Sequence, residues 1–497
     1  MNGSIIRYIL GYILKTEGIL MLLPCLIGLI YQESEVWYYL LIATLCFLLG
    51  ILSQLHKPQN TVFYLKEGCV ATAMSWITLS LFGCLPFFLS GEIPSFTNAV
   101  FETVSGFTTT GASVVNDVEA LSHCTNLWRC FTHWIGGMGV LVFILAIIPM
   151  SGGSPINLMR AESPGPSVGK LVPKVKATAR ILYLIYLVMT IIEFIFLIAG
   201  KMPVFDALCT SFGTAGTGGF GIKGDSMTSY STYIQWVVGI FMALFGINFN
   251  FYYYIIYKKY KKAITMEEVR IYLFIIVVAV TLIFAELLKT TSSGIGNALT
   301  LSFFQVSSVM TSTGYSSADY DTWTQTSKSI IVLLMFIGAC AGSTGGGIKV
   351  SRIAILFKTI KKELGSYIHP KSIKKINFEG KMVEHDVVRS INVYFITFMI
   401  IFAVSVLAIS FEGKDMITNF TAVLATINNI GPGLALVGPA KNFDVMSVPS
   451  KWVLIFDMLA GRLELFPILI LFHPTVWKDY ANKLIRKHSK KETNRMN

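Results

Sequence analysis

Charge is scarce in this chain. Only 14% of its 497 residues are Asp, Glu, Lys or Arg, whereas about 25% is usual in soluble domains. With 54% hydrophobic residues and a mean hydropathy of +0.63, that scarcity excludes a soluble globular chain and places it in a bilayer. The residues of metal and redox chemistry are also thin. The eight cysteines include no CxxC pair and fall mostly in apolar segments, so they read as free thiols and not as a metal site or disulfide framework. His56, His123, His133, His369, His385, His473 and His488 are scattered without ligand spacing, which leaves a polytopic membrane enzyme without a metal cluster or acid-base pair. The formal charge of +12 invites a nucleic-acid partner, but in a membrane chain basic residues mark cytoplasmic loops, so none is expected.

Long apolar runs are abundant and ordered. A hydrocarbon core of about 30 Å needs about 20 apolar residues per spanning helix. Two such runs, 5–30 and 36–55, come first. The N-terminal stretch MNGSIIRYILGYILK is read as a retained helix because no small-residue cleavage site follows it. Four units follow. Each has a long run (67–90, 178–200, 269–289, 387–410), a short run ending in a glycine loop, and a second long run (126–149, 231–257, 328–357, 451–473). Runs of about 10 to 15 residues are too short to span, so they read as re-entrant segments.

The glycine loops read Thr109-Thr110-Gly111-Ala112, Gly216-Thr217-Gly218-Gly219, Ser312-Thr313-Gly314-Tyr315 and Asn429-Ile430-Gly431-Pro432. From Gly111 to Gly218, Gly314 and Gly431 the steps are 107, 96 and 117 residues, a repeat that makes each unit one quarter of a pore. Glycine opens backbone angles that other residues avoid, so four loops brought together can turn their carbonyls inward as a ring of dipoles. Short helices ending there add the partial negative charge of their carboxyl ends, which favours a cation. The hydroxyls of Thr110, Thr217 and Thr313 are expected to form a further layer, broken in the fourth loop by Ile430.

Charge counting orients this arrangement. With both termini cytoplasmic, ten spans place roughly 31 of the 40 Lys and Arg inside and about 8 outside. The glycine loops then face outward, with Asp117, Asp225, Asp319 and Asp444 just beyond them. Those acids either concentrate cations at a mouth or are simply solvated.

A second glycine-rich stretch, GACAGSTGGGIK from Gly338 to Lys349, interrupts the last long run of the third unit. It fails as a phosphate loop, because Ile348 precedes Lys349 and Val350 follows it. Its glycines break a helix at membrane depth, where irregular backbone survives only if protein buries it or water lines it. A pore-facing loop or a packing kink satisfies that condition. Arg462, in FDMLAGRLELF, lies near mid-bilayer, where a charge costs about 3 kcal/mol and needs a partner. Glu464 is on a different helix face; Asp457 and Glu193 are the structural candidates.

The segments FTTTGAS, LWRCFTHWIGGMGVLVFILAIIP, TGGFG, TSTGY, GSTGGGIKVSR and GRLELF resemble the signatures of the Trk/Ktr/HKT potassium transporters, most nearly the TrkH type, over nearly the whole chain. The resemblance implies a selectivity filter at Thr110, Gly111, Thr217, Gly218, Thr313, Gly314, Ile430 and Gly431. It also implies a gate at Gly342, Ser343, Thr344, Gly345, Gly346, Gly347 and Lys349, held shut by Arg462. In related plant transporters a serine at the first filter glycine goes with sodium preference, so Gly111 implies potassium. One shared glycine per loop, in place of TVGYG, implies looser selectivity than in potassium channels. The family further implies a homodimer and a cytosolic nucleotide-binding regulatory ring of the TrkA/KtrA kind. That ring would dock on the basic face from Lys349 to Arg389 and the tail IRKHSKKETNR, which otherwise touches membrane lipid. No Rossmann-type fingerprint lies between a strand and a helix here, so such control comes from a separate protein.

The expected fold is an all-α polytopic membrane protein. Four helix–pore helix–helix repeats surround a pseudo-fourfold pore, preceded by an extra two-helix pair. Boundaries are expected at 1–60 for that pair, 61–165, 166–263 and 264–375 for the first three repeats, and 376–497 for the fourth with its basic tail. The expected function is passive potassium uptake across the plasma (inner) membrane, with potassium as substrate and no bound cofactor. An ion-coupled symporter, carrying potassium with protons or sodium, is the competing reading; it would more often show inverted repeats and membrane carboxylates, whereas these four units all run the same way.

Overall fold

In a bilayer every backbone N–H and C=O of a spanning segment must be paired internally, and the apolar runs accordingly fold as helices. The computed structural model describes residues 2–58, 64–139, 175–290, 294–370 and 375–478. Among these, regular structure is helical except for one small hairpin, Asn377–Phe378 with Lys381–Met382, and one isolated bridge. Among the described residues six helices are long and apolar enough to cross a membrane: Gly3–Tyr31, Val36–Gln54, Leu65–Ser90, Ala179–Ala199, Glu267–Thr290 and His385–Ser410. The last three bury only 28% of their apolar windows inside the protein. Their Leu, Ile and Phe side chains therefore form an apolar outer surface suited to lipid.

The short runs form helices Phe96–Phe107, Val204–Gly216, Gly294–Met310 and Met416–Ile427. The closing helix of each unit begins with the same device. Ser122, Ser231, Thr324 and Ser447 each accept, through the side-chain hydroxyl, the backbone N–H three residues on, which satisfies a donor that the first turn cannot.

These closing helices then depart from the expected continuous spans. A break was expected only in the third unit, between Gln325–Phe336 and Val350–Ile368. The second unit also bends, by 91° between Thr232–Phe245 and Phe249–Ile256, where Asn248 caps the new segment by accepting from Asn250 N. In the fourth, Val448–Arg462 stops before Phe466–Leu471, with Glu464 and Leu465 at φ of 59° and 65°. The first unit's closing helix is described for His123–Gly137. The rest of its expected run, 140–149, lies outside the described residues, as do 151–174 of the stretch expected on the cytoplasmic side and the tail beyond Lys478.

Packing closes the four units into a ring. His123–Gly137 packs on Val204–Gly216, Thr232–Phe245 on Gly294–Met310, and Gln325–Phe336 on Met416–Ile427. Val448–Arg462 returns to Phe96–Phe107. The extra pair, Gly3–Leu20 along Val36–Gln54, lies outside this cycle against Leu65–Gly83.

Candidate ion pathway

Each short helix ends in one and the same turn. Thr109, Thr217, Ser312 and Asn429 are left-handed, with φ of 54° to 57°, and their N–H groups donate three residues back, to Gly106, Thr214, Val309 and Thr426. The next residues, Thr110, Gly218, Thr313 and Ile430, donate five residues back, to Ser105, Gly213, Ser308 and Ala425, at 2.8 to 2.9 Å. This is a helix terminus of the Schellman type. The residue after that is a glycine of positive φ in every unit: Gly111, Gly219, Gly314 and Gly431. The second unit is thus in register through Gly219, one residue later than the Gly218 expected from the loop sequence. Gly218 matches Thr110, Thr313 and Ile430, while Thr217 matches Thr109.

This register brings four equivalent carbonyls into one cycle. A methyl group built on Gly111 would sit 1.9 Å from the Gly218 carbonyl oxygen, on Gly219 2.0 Å from that of Thr313, on Gly314 2.1 Å from that of Ile430, and on Gly431 2.8 Å from that of Thr110. Each unit's glycine therefore makes room for the carbonyl of the next unit, and the fourth returns to the first. The expected hydroxyl layer is rearranged. Thr110 and Thr313 bond Thr108 and Thr311 at 2.8 and 2.7 Å, Thr217 turns to the Gly216 carbonyl, and Gly218 and Ile430 have no hydroxyl. Two opposite walls carry threonine and two do not.

Above the glycines lies a cavity of about 170 Å³ lined by all four positive-φ glycines. The charged residues among its lining are Arg129, Lys223 and Lys441. The four acids expected near a mouth are engaged locally: Asp117 accepts from Glu119 N and Ala120 N, Asp225 from Ser229, Asp319 from Asp321 N, and Asp444 pairs with Lys451 at 3.0 Å.

The second glycine stretch is a compact loop rather than a kink. Its neck is closed by Gly338 N to Ile348 O at 2.7 Å and Val350 N to Ala339 O at 3.2 Å. Its tip packs under the ends of the third and fourth short helices: Gly346 N donates to Ser312 Oγ at 2.5 Å, and a methyl group on Gly345 or Gly346 would lie 2.9 Å from the Thr311 carbonyl oxygen or 2.7 Å from that of Asn428. Gly342 and Gly347 need positive φ. Ser343 Oγ turns back to Cys340 O at 2.6 Å. Lys349, buried, donates to the loop's own carbonyls at Gly345 and Gly346, so it presents no free charge to a phosphate. Arg462 donates to Thr344 O at 3.0 Å, to Gly137 O at 2.8 Å and to Gly136 O, and thereby joins the loop to the end of the first unit's closing helix. Asp457 instead accepts from Ser405 at 2.7 Å, and Glu464 pairs with Arg352.

A family model described as "TrkH: Cation transport protein" matches residues 38–479. The chain belongs to the TrkH family. It is 34% identical to the Trk system potassium uptake protein TrkH of Salmonella typhimurium over 490 residues, which covers 96% of this chain and all of that one. The TrkH of Escherichia coli K12 is 34% identical over 492 residues, with the same coverage. Among solved structures, the potassium transporter TrkH from Vibrio parahaemolyticus superposes with a TM-score of 0.85 at 31% identity, covering 96% of this chain and 100% of that one. With its outward-facing apolar helices, this TrkH-family chain is an integral membrane protein.

Two residues behind the ring of this TrkH member were given no role in the sequence reading. Arg129, 1% exposed, pairs with the fully buried Glu102 at 2.7 Å and also reaches Asn126 and the Gly221 carbonyl. Glu102 in turn accepts from Val114 N at 2.9 Å. Removing one partner of such a buried pair costs roughly 3 to 5 kcal/mol. His133 bridges two units, its Nδ1 to the Gly106 carbonyl at 2.8 Å and its Nε2 accepting from Phe220 N at 3.2 Å. That pairing fixes a neutral imidazole protonated on Nδ1. The only sequence trace of either is a polar residue in an otherwise apolar run.

Proposed function

We propose that the chain takes up potassium through a passive pore selected by the carbonyl ring and gated by the intramembrane loop. The observation that carries this reading is the cycle of carbonyls at Thr110, Gly218, Thr313 and Ile430, each seated against the preceding unit's glycine. Such dipoles, at the carboxyl ends of four short helices, replace part of an ion's hydration shell without a side-chain carboxylate. The names of the Salmonella and Escherichia relatives support potassium as the ion, and so does glycine at position 111.

On this reading the filter residues are Thr110, Gly111, Gly218, Gly219, Thr313, Gly314, Ile430 and Gly431, with Thr217 one step behind. The gate is Gly342 to Gly347 with Lys349, and Arg462 latches it. Both termini lie on the cytoplasmic side of the plasma membrane, in keeping with the distribution of Lys and Arg. A second copy of the chain and a cytosolic nucleotide-binding ring complete the system, the ring meeting the basic face between Lys349 and Arg389.

Rubidium or potassium flux into liposomes holding the purified protein, with sodium as competitor, tests the reading. Uptake of rubidium with weak sodium competition is expected; equal uptake of sodium overturns it. Ion-coupled symport keeps one kind of supporting observation, carboxylates buried in apolar helices: among the described residues, Glu17 is 1% exposed and Glu193 fully buried, each with both oxygens lacking a hydrogen-bond partner. Passive conduction predicts that an imposed pH gradient alone drives no uphill rubidium uptake.

A further inference from the structure

Beyond Arg462 and Lys349, the glycine loop is held at both of its ends by a single carboxylate. Glu268, at the start of Glu267–Thr290 and 3% exposed, accepts through Oε1 from Ala341 N at 2.7 Å and from Ser351 N at 3.1 Å. Ala341 precedes the stretch Gly342–Gly347 and Ser351 follows it, so one oxygen clasps the loop's entry and exit. Through Oε2 the same carboxylate accepts from the Asn248 side chain at 3.4 Å. Asn248 lies in the 91° break of the second unit's closing helix, and the loop is bonded to that break directly. Phe249 N donates to Gly342 O, and Cys340 N to Gly246 O, both at 3.0 Å.

A second line of contacts runs from Glu268 to the surface. Its backbone N–H, a first-turn donor with no acceptor inside its own helix, donates to Glu379 Oε1 at 2.9 Å. Glu379 and Gly380, at φ of 52° and 71°, form the exposed two-residue turn of the hairpin Asn377–Phe378 and Lys381–Met382, a geometry that suits tight hairpins. Lys358, on the helix that leaves the loop, donates to the Asn377 carbonyl at 2.8 Å and pairs with Glu267. An exposed hairpin is thus bonded to the residue that grips both ends of the loop, and to the helix behind it.

We infer that Glu268 is a positioning residue that couples the hairpin 377–382 to the intramembrane loop, so that displacing the hairpin loosens the loop's grip. The inference rests on the reading of that loop as a gate. A switch of this kind needs a segment with two arrangements and a contact that differs between them. Here the contact is the pair of N–H bonds from Ala341 and Ser351, and the hairpin is its outward end.

Rubidium flux through the full-length protein in liposomes tests this. Glu379→Ala, which alters only the exposed end, and Glu268→Gln should each raise basal flux, by about tenfold, the scale of one charge-assisted hydrogen bond. The rubidium concentration giving half-maximal flux and the rubidium-to-sodium ratio should stay unchanged, because the carbonyl ring is not touched. The double variant should exceed Glu268→Gln alone by little, since both act through one contact, and Glu379→Gln, which retains an acceptor oxygen, should restore part of the closed behaviour. Deleting Gly342–Gly347 serves as reference. If the deletion raises flux while Glu379→Ala leaves it unchanged or lowers it, the coupling is overturned and the gate survives. If the deletion does not raise flux, the gate reading fails and this inference with it. Should Glu268→Gln not fold, the pair Glu379→Ala and Glu379→Gln decides by the same criteria.

Discussion

At position 111 a side chain has no space. A β-carbon there would lie 1.9 Å from the Gly218 carbonyl oxygen, and the backbone is at φ of 78°, so any substitution either displaces that carbonyl or strains the turn by about 1 to 3 kcal/mol. Gly111→Ser is therefore expected to cut rubidium uptake by roughly tenfold and to raise the sodium-to-rubidium ratio, as read from competitive flux. Gly111, Gly314 and Gly431 were legible in the sequence because each ends a short apolar run. Which of two adjacent glycines matters in Thr217-Gly218-Gly219 was not legible, since the letters are compatible with both and only the sign of φ separates them. His133 and Arg129 left still less trace, because their partners are backbone carbonyls and N–H groups, or a carboxylate 27 residues away.

Among elements, the glycine loop and its arginine form the most consequential pairing. Arg462 reaches carbonyls of the loop and of the first unit's closing helix. Replacing it by alanine removes charge-assisted bonds of about 1.5 to 3 kcal/mol each, so Arg462→Ala should raise basal rubidium flux by about tenfold or more. Flux equal to that of the unmodified protein would leave Arg462 a packing role only. The break around this loop was foreseeable because glycine penalises a helix wherever it occurs. The breaks at 246–248 and 463–465 were not, for they depend on Asn248 capping a new helix and on Glu464 being drawn to Arg352, contacts between segments far apart in the chain.

For the whole molecule, ring closure rests partly on Asp444. It receives hydrogen bonds from Lys451, from Asn98 of the first short helix, and from Asn116, and so joins the fourth unit to the first. Burial alone would raise its pKa, but the Lys451, Asn116 and Asn98 hydrogen bonds and the Lys451 charge outweigh this and hold the carboxyl below its usual range. A depressed folded pKa means that the contribution is complete above the unfolded value of about 3.9 and lost as pH falls through the folded one. Thermal unfolding should therefore show this contact intact from pH 7 to about 5 and failing below about 4, and Asp444→Asn should lower the midpoint at pH 7 while removing that part of the acid dependence. The overall ring was legible because hydropathy alone reports four units running the same way. Its uneven walls have a further consequence. A ring assembled from four identical chains changes all its walls with each mutation, whereas here a substitution at 110, 218, 313 or 430 alters a single wall and leaves the other three as they were.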